Sequence, residues 1–262
     1  MSKNQTPVAT EPKQAHLPAE VSLDAWGEAP RLNAQDIIIP KILLMQGLSD
    51  LVADGKAMMG DFRDSLSGAK LGSIVEPIEI IPFHLEKFID IEEDDGEGNF
   101  KWARTEPLIE DPLNPKYNDN LPWTDTIDGL AVKRVRRMNF FCVLPADVKS
   151  FGAGALPYVL SFKSTSFREG KKMYTQMFMR NRAQQLPPNA FTFKVGGEKV
   201  KNDKGTFIVP SVELGRRTDT LEYTTTLDWF KKIKKDGVRV DDSDVADATT
   251  MDDTEITSTG AF

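Results

Sequence analysis

The sequence predicts a mainly β fold with accessory helices: a curled, OB-like β-barrel with insertions and disordered termini. Three observations carry this expectation. β-branched and aromatic runs recur across residues 74–144 and 157–214, and the longest is bent by Pro77 and Pro82. Only two later segments, 166–184 and 218–235, carry helical periodicity. Both ends of the chain are polar and lack the apolar spacing that a core requires.

Residues 1–35 are rich in Pro, Ala, Gln and Glu and read as a flexible segment, with a short stretch near Leu23–Trp26 able to dock on the body. Ile37–Met45 begins β-branched and is cut by Pro40, which fits an edge strand or an extended segment. Residues 54–70 carry Gly55, Gly60 and a Ser67-Gly68 turn, a hairpin-like signal. Ile74–Ile91 is a long β-run whose two prolines imply an edge or a bulge, as a curled barrel needs. Glu92–Asn99 is a solvated acidic turn, and Phe100–Ala103 its return strand. Residues 106–128 hold four prolines and form an insertion that is functional or poorly ordered, covering a groove or building a dimer contact.

Leu130–Leu144 reads as a strand with a basic outer face, and Pro157–Ser164 as another strand. A helix follows from an N-cap at Ser166 to about Gln184, with Phe167, Tyr174, Met177 and Phe178 on its apolar side, and Pro187-Pro188 ends it. Ala190–Lys199 and Thr206–Leu214 flank an Asn-Asp-Lys-Gly turn and form a hairpin. Thr218–Lys235 is a second helix, with Leu221, Leu227, Trp229, Phe230 and Ile233 available to pack; order is expected to end after Gly237. The chain thus divides into a flexible 1–35, an OB-like domain at 36–236, and a disordered acidic tail at 237–262.

Composition narrows the chemistry. Of 262 residues, 40% are hydrophobic, enough for one elaborated domain. No apolar run reaches the roughly 18 residues of a membrane helix, and the polar N-terminus does not read as a signal peptide. Cys142 is the single cysteine, so no intrachain disulfide forms, as expected in a reducing cytoplasm. With His16 and His84 the only histidines, a Cys/His zinc site is not available. Phosphate-binding, dinucleotide, metalloprotease and nucleophile-elbow motifs are missing. The reading therefore assigns no catalytic residue, no metal and no cofactor, and places Cys142 in the core.

Charge is sorted along the chain. The net charge is −7, yet residues 241–262 hold seven acids and no cation, and residues 1–240 balance. Inside the body, residues 131–204 hold 15 Lys and Arg against 4 acids, whereas residues 85–130 hold 4 against 13. This pattern reads as a basic surface beside an acidic region, or as no more than a solvated face. The basic segment interleaves cations with aromatics, the mixture that single-strand binders use: cations release counterions from phosphates, and aromatic faces stack on bases. Lys133, Arg134, Arg136 and Arg137 are the expected phosphate contacts, supported by Lys163, Arg168, Lys171 and Lys172. Trp102, Phe140, Tyr158 and Phe162 are the expected stacking residues.

The tail carries Asp252, Asp253 and Glu255 and ends in Phe262. It resembles the acidic, Phe-ending tails of bacterial and phage single-stranded DNA-binding proteins, without the Pro-Phe ending of the bacterial consensus. The segments IPKILLMQGLSDLVADGKAMMGDFRDSLSG (39–68), LGSIVEPIEIIPFH (71–84), LPYVLSFKSTSF (156–167) and NDKGTFIVPSVELG (202–215) are also similar to phage-encoded proteins of that group. The resemblance implies an OB-like core, non-sequence-specific coating of single-stranded DNA in phage replication or recombination, and a host-cytoplasmic location. It also implies that the tail recruits replication or recombination proteins. The tail's acids could compete for a cationic groove as well. Homo-oligomerisation stays open. So do three other readings: a strand-annealing protein, a Mg²⁺-dependent nuclease using acids near Asp90–Asp95, and a protein that binds only other proteins.

Overall fold

In the computed structural model, which describes residues 38–127, 129–202, 205–236 and 239–240, the chain is mainly β with a few helices. Strands β1 (Ile38–Ile39), β2 (Ile42–Leu44), β3 (Asp61–Asp64) and β4 (Lys70–Ser73) precede the long β5 (Ile78–Asp94). Then come β6 (Phe100–Pro107), β7 (Thr124–Ile127), β8 (Leu130–Val143), β9 (Tyr158–Lys163), β10 (Phe191–Asn202), β11 (Gly205–Arg217) and β12 (Arg239–Val240). Helices are α1 (Asp50–Ala53), α2 (Pro145–Phe151), α3 (Phe167–Tyr174), α4 (Asn181–Ala183) and α5 (Thr220–Asp236); a π-helical stretch, Thr175–Arg180, joins α3 to α4.

Seven strands form one antiparallel sheet in the order β11-β10-β5-β8-β7, with β6 also on β5 and β9 also on β8. β2, β3 and β4 form a second sheet, and β1 pairs with β12 in parallel. The two larger sheets are linked by a parallel bridge between Lys41 and Val159, where Val159 N donates to Pro40 O at 2.9 Å. Gln46 makes a second link: its Nε2 donates to Ile208 O and its Oε1 accepts from Ile208 N, both at 2.9 Å. Among the described residues no continuous ladder closes a barrel, so the architecture is two linked antiparallel sheets.

The expected bulge in the long β-run is present. Pairing of β5 with β8 shifts between Pro82 and His84, leaving Phe83 as the extra residue. Side chains alternate across a strand, so an extra residue reverses the phase. Before the bulge Ile78 and Ile80 enter one core; after it Leu85, opposite Phe140, packs on that same core. Ile81 and Phe83 enter the other.

The first core joins Phe140, Phe162, Met138, Phe62, Phe193, Met173 and Met177 under α3 and the second sheet. The helix can lie so close because of Gly170: a Cβ there would come within 2.9 Å of Phe162 Cβ. The second core joins Phe141, Val143, Val148, Val159, Trp229 and Ile233 under α5. Helix α5 starts with a reciprocal cap, in which Asp219 Oδ1 accepts from Glu222 N and Glu222 Oε2 accepts from Asp219 N, each at 2.9 Å. Trp229 anchors it by donating from Nε1 to Ala155 O at 2.8 Å.

Several local expectations change. Ser166 does not cap the helix; its hydroxyl donates back to Lys163 O at 2.7 Å. Leu221 is exposed, because the first buried turns of α5 are polar, at Glu222, Thr225 and Thr226. Order continues beyond Gly237, since β12 pairs with β1. The hairpin is longer than its apolar pattern, reaching Asn202 and Gly205. Residues 1–35 and the tail residues Asp252, Asp253, Glu255 and Phe262 lie outside the described residues. Two substitutions test the packing by urea denaturation. Trp229→Ala, which empties the second core, is expected to cost about 3–5 kcal/mol. Gly170→Val, which forces the helix off the sheet, is expected to cost about 1–3 kcal/mol; a neutral Gly170→Val would mean that α3 does not rest on Phe162.

Candidate nucleic-acid interface

The four cations of β8 do not form one basic face. Alternation sends Arg134 and Arg136 to one side of the sheet, opposite Ile91 and Ile89, and Lys133 and Arg137 to the other, opposite Glu92 and Phe88. Each is engaged internally. Arg134, nearly buried, pairs with Asp125 at 2.9 Å and donates to Pro122 O at 3.1 Å. Arg136 pairs with Asp119 at 2.9 Å. Arg137 is buried against Asp90 at 3.3 Å, with Thr105 donating to the same carboxylate at 2.7 Å. Lys133 lies 3.9 Å from the centre of the Phe100 ring. The hydrogen bond from Arg134 holds the Asp125 carboxyl below its usual range, with help from Thr126 N.

The insertion supplies Asp119 and Asp125, whereas Asp90 belongs to β5. Residues 106–127 fold over the Arg134 and Arg136 side and are pinned by Asn118, whose Oδ1 accepts from Ile109 N at 2.7 Å and whose Nδ2 donates to Pro107 O at 3.0 Å. The expectation of an open phosphate-binding face on β8 is therefore corrected: Arg134 and Arg136 hold the sheet to the insertion, and Arg137 is paired within the sheet to Asp90 of β5.

Two expected stacking residues are corrected as well. Phe140 and Phe162 are fully buried, edge to face with each other at 5.7 Å. Tyr158 is half-buried and hydrogen-bonded to Asp147; burial, then the neighbouring carboxylates, push its hydroxyl up. Trp102 is 44% exposed, on β6, with Nε1 donating to Thr105 Oγ1 at 3.1 Å. Lys163 is exposed and pairs across strands with Arg137.

The remaining three predicted cations converge. Arg168, Lys171 and Lys172 line a cleft of about 460 Å³ between the α3–π helix and the β10–β11 hairpin. Positions 168, 171, 172, 175 and 176 share one α-helical face, at spacings i, i+3, i+4, i+7 and i+8. Arg180, at the end of the π stretch and four residues beyond Gln176, lines the cleft as well. The floor is apolar: Met173, Phe193, Val212 and Leu214. Leu214 is half exposed.

One acid touches two of the lining residues without lining the cleft itself. Glu169 is nearly buried; it pairs with Lys172 at 2.6 Å, and its Oε2 accepts from Val212 N at 3.2 Å. Lys171 lies 5.1 Å from the Phe167 ring centre. Among the described residues Arg168 and Arg180 make no ion pair. Sequence reading had not assigned Arg180, Val212 or Leu214 to the site: the spacing of Arg180, i+4 from Gln176 and i+8 from Lys172, could have placed it there, whereas the other two depend on where the hairpin lands.

The acids near Asp90–Asp95 are structural. Asp94 Oδ1 accepts from Gly96 N at 2.9 Å, Asp95 Oδ1 from Glu97 N at 2.9 Å, and Asp90 serves Arg137. The backbone bond from Glu97, then Lys101, holds the Asp95 carboxyl low. No group of three potential metal ligands gathers among the described residues. Cys142 is buried, as expected, and burial pushes its thiol up. No helix of the described residues is long and apolar enough to cross a membrane.

A family model described as "Pam3 phage gp34-like protein" matches residues 22–239, and the chain belongs to that phage protein family. No curated protein and no solved structure matches it. The two kinds of cation separate in a stability measurement. Asp90→Ala strands a buried guanidinium and is expected to cost about 3 kcal/mol. Lys171→Ala, on the cleft rim, is expected to stay within about 0.5 kcal/mol; equal losses in urea denaturation would erase the distinction.

Proposed function

We propose that this member of the Pam3 phage gp34-like family is a single-stranded DNA-binding protein that takes the strand through the cationic cleft and coats it without reading sequence, in phage replication or recombination. One observation carries the proposal. Arg168, Lys171, Lys172 and Arg180 converge on one cleft whose described lining holds no acid, Glu169 behind it offsetting Lys172 alone. On β8, Arg134, Arg136 and Arg137 are paired with acids, whereas Arg168, Lys171 and Arg180 face solvent here with no ion pair among the described residues. Clustered cations in excess of their counter-charges attract a polyanion and release its counterions.

The two linked sheets, with a bulged β5 at the centre of the larger one, are read as an opened OB-like barrel. The acidic segment after Val240, with Asp252, Asp253, Glu255 and Phe262, is read as a competitor for the same cations and as a handle for replication or recombination proteins. The protein acts in the host cytoplasm under this reading, with no catalytic step.

Anisotropy titration of labelled poly-dT, with the full chain and with a chain ending at Val240, tests the proposal. If all four cations meet phosphates, affinity falls with salt on a log–log slope of about −3, from roughly −0.7 per phosphate on single strands. Arg168→Glu with Lys171→Glu is expected to weaken binding at least tenfold and flatten that slope. Removal of the acidic segment is expected to tighten it. Absence of binding by either chain at low salt would sink the proposal and leave the cleft as a site for a protein partner.

A further inference from the structure

We infer that the cleft seats a nucleobase on its apolar floor while the cations hold the flanking phosphates at the rim, so that single-strand selectivity resides in Leu214 and Val212 rather than in the charges. The inference rests on the proposed function and deepens it.

The cleft is amphipathic in a specific way. Its cations are on long, exposed side chains at the rim, whereas Met173 and Phe193 are buried beneath and Val212 and Leu214 form the accessible wall. A phosphate gains nothing from an apolar floor and loses hydration there. A base has an apolar face and a phosphate on either side, which matches both halves. The volume, about 460 Å³, is within the roughly 300–1,000 Å³ of small-ligand sites.

Base identity is not read. The polar lining side chains other than the cations are Thr175 and Gln176, and Gln176 already donates from Nε2 to Asn181 Oδ1 at 3.0 Å. Asn181 is itself fully buried and donates to Pro187 O and Pro188 O at 3.2 and 3.3 Å, so this amide pair is committed to closing the helix. Fixed, convergent donors and acceptors of the kind that separate one base from another are lacking among the described lining residues.

The aromatic platforms that stack bases in other single-strand binders are also not at this floor. Phe193 is buried, and Phe140 and Phe162 lie deeper in the same core. Contact with the base is therefore aliphatic, through Leu214 and Val212. Duplex DNA keeps its bases stacked and paired inside, so it can reach the rim cations but not the floor. Leu214 stands on the open wall at half exposure, where a change to Thr keeps strand propensity and leaves the fold intact.

A paired comparison tests this. Anisotropy is measured with a thymidine oligomer, an abasic deoxyribose-phosphate oligomer of equal length, and a duplex, each with the native full chain and with Leu214→Thr. The native chain is expected to bind the thymidine oligomer about tenfold more tightly than the abasic one. Leu214→Thr is expected to weaken thymidine binding about three- to tenfold and to leave abasic and duplex binding unchanged. Equal affinity of the native chain for thymidine and abasic oligomers would overturn the inference while leaving the proposed function standing. No binding to any of the three would instead overturn the proposed function.

Discussion

The antiparallel ladder between β5 and β8 is the constraint on which everything else depends. It runs from Ile81–Val143 to Glu93–Val132 and forms the middle of the seven-stranded sheet. Near Val143 the ladder is covered on both faces, by α3 and the second sheet on one side and by α5 on the other. Toward Val132 the insertion takes over one face. Because the side-chain period of a strand is two, the ladder also decides the fate of every charge on β8. A run of four cations in sequence becomes two on each side of a sheet, and none of them can act together with its neighbour.

That geometry explains the charge asymmetry of the chain. Asp90, Asp119 and Asp125, all from the acidic stretch, partner Arg137, Arg136 and Arg134 from the basic one. Arg137 and Asp90 are both nearly buried, where an unpaired charge is costly, so neither tolerates loss of the other. Part of the compositional contrast is thus internal pairing across the β5–β8 region. Arg168, Lys171 and Arg180, on α3 and its π-helical continuation, make no ion pair among the described residues and face outward around a cleft.

The hairpin β10–β11 forms the other wall and must also survive as a sheet edge. Its outward positions are closed one after another. Gln46 takes both backbone groups of Ile208, Pro210 has no N–H to offer, and Glu169 accepts from Val212 N. The last contact has two consequences. It shields the edge from strand addition, and it holds the Glu169 carboxylate behind the cleft beside Lys172, so that one of the four cations is offset and a net positive charge remains. Leu214, next along the same side, is left exposed beside the cations.

Sequence by itself determined the elements that rest on local chemistry. The β-rich class, the proline-induced bulge in the long strand, the hairpin around 202–205, the helix ended by Pro187-Pro188, the packing of Trp229 and Ile233, and the burial of Cys142 follow from periodicity, turn residues and apolar spacing. The cationic character of Arg168, Lys171 and Lys172 on one helix face was legible for the same reason, since i, i+3 and i+4 is a local relation. Tertiary structure alone decided which cations stay available. Pairing of β8 with β5 and with the folded-over insertion consumed Arg134, Arg136 and Arg137, and core formation consumed Phe140 and Phe162. The hairpin brought Val212 and Leu214 across to meet the cationic face of the helix. Whether a charge or a ring is free is set by what lies opposite it in space, and the residues opposite are distant in the chain.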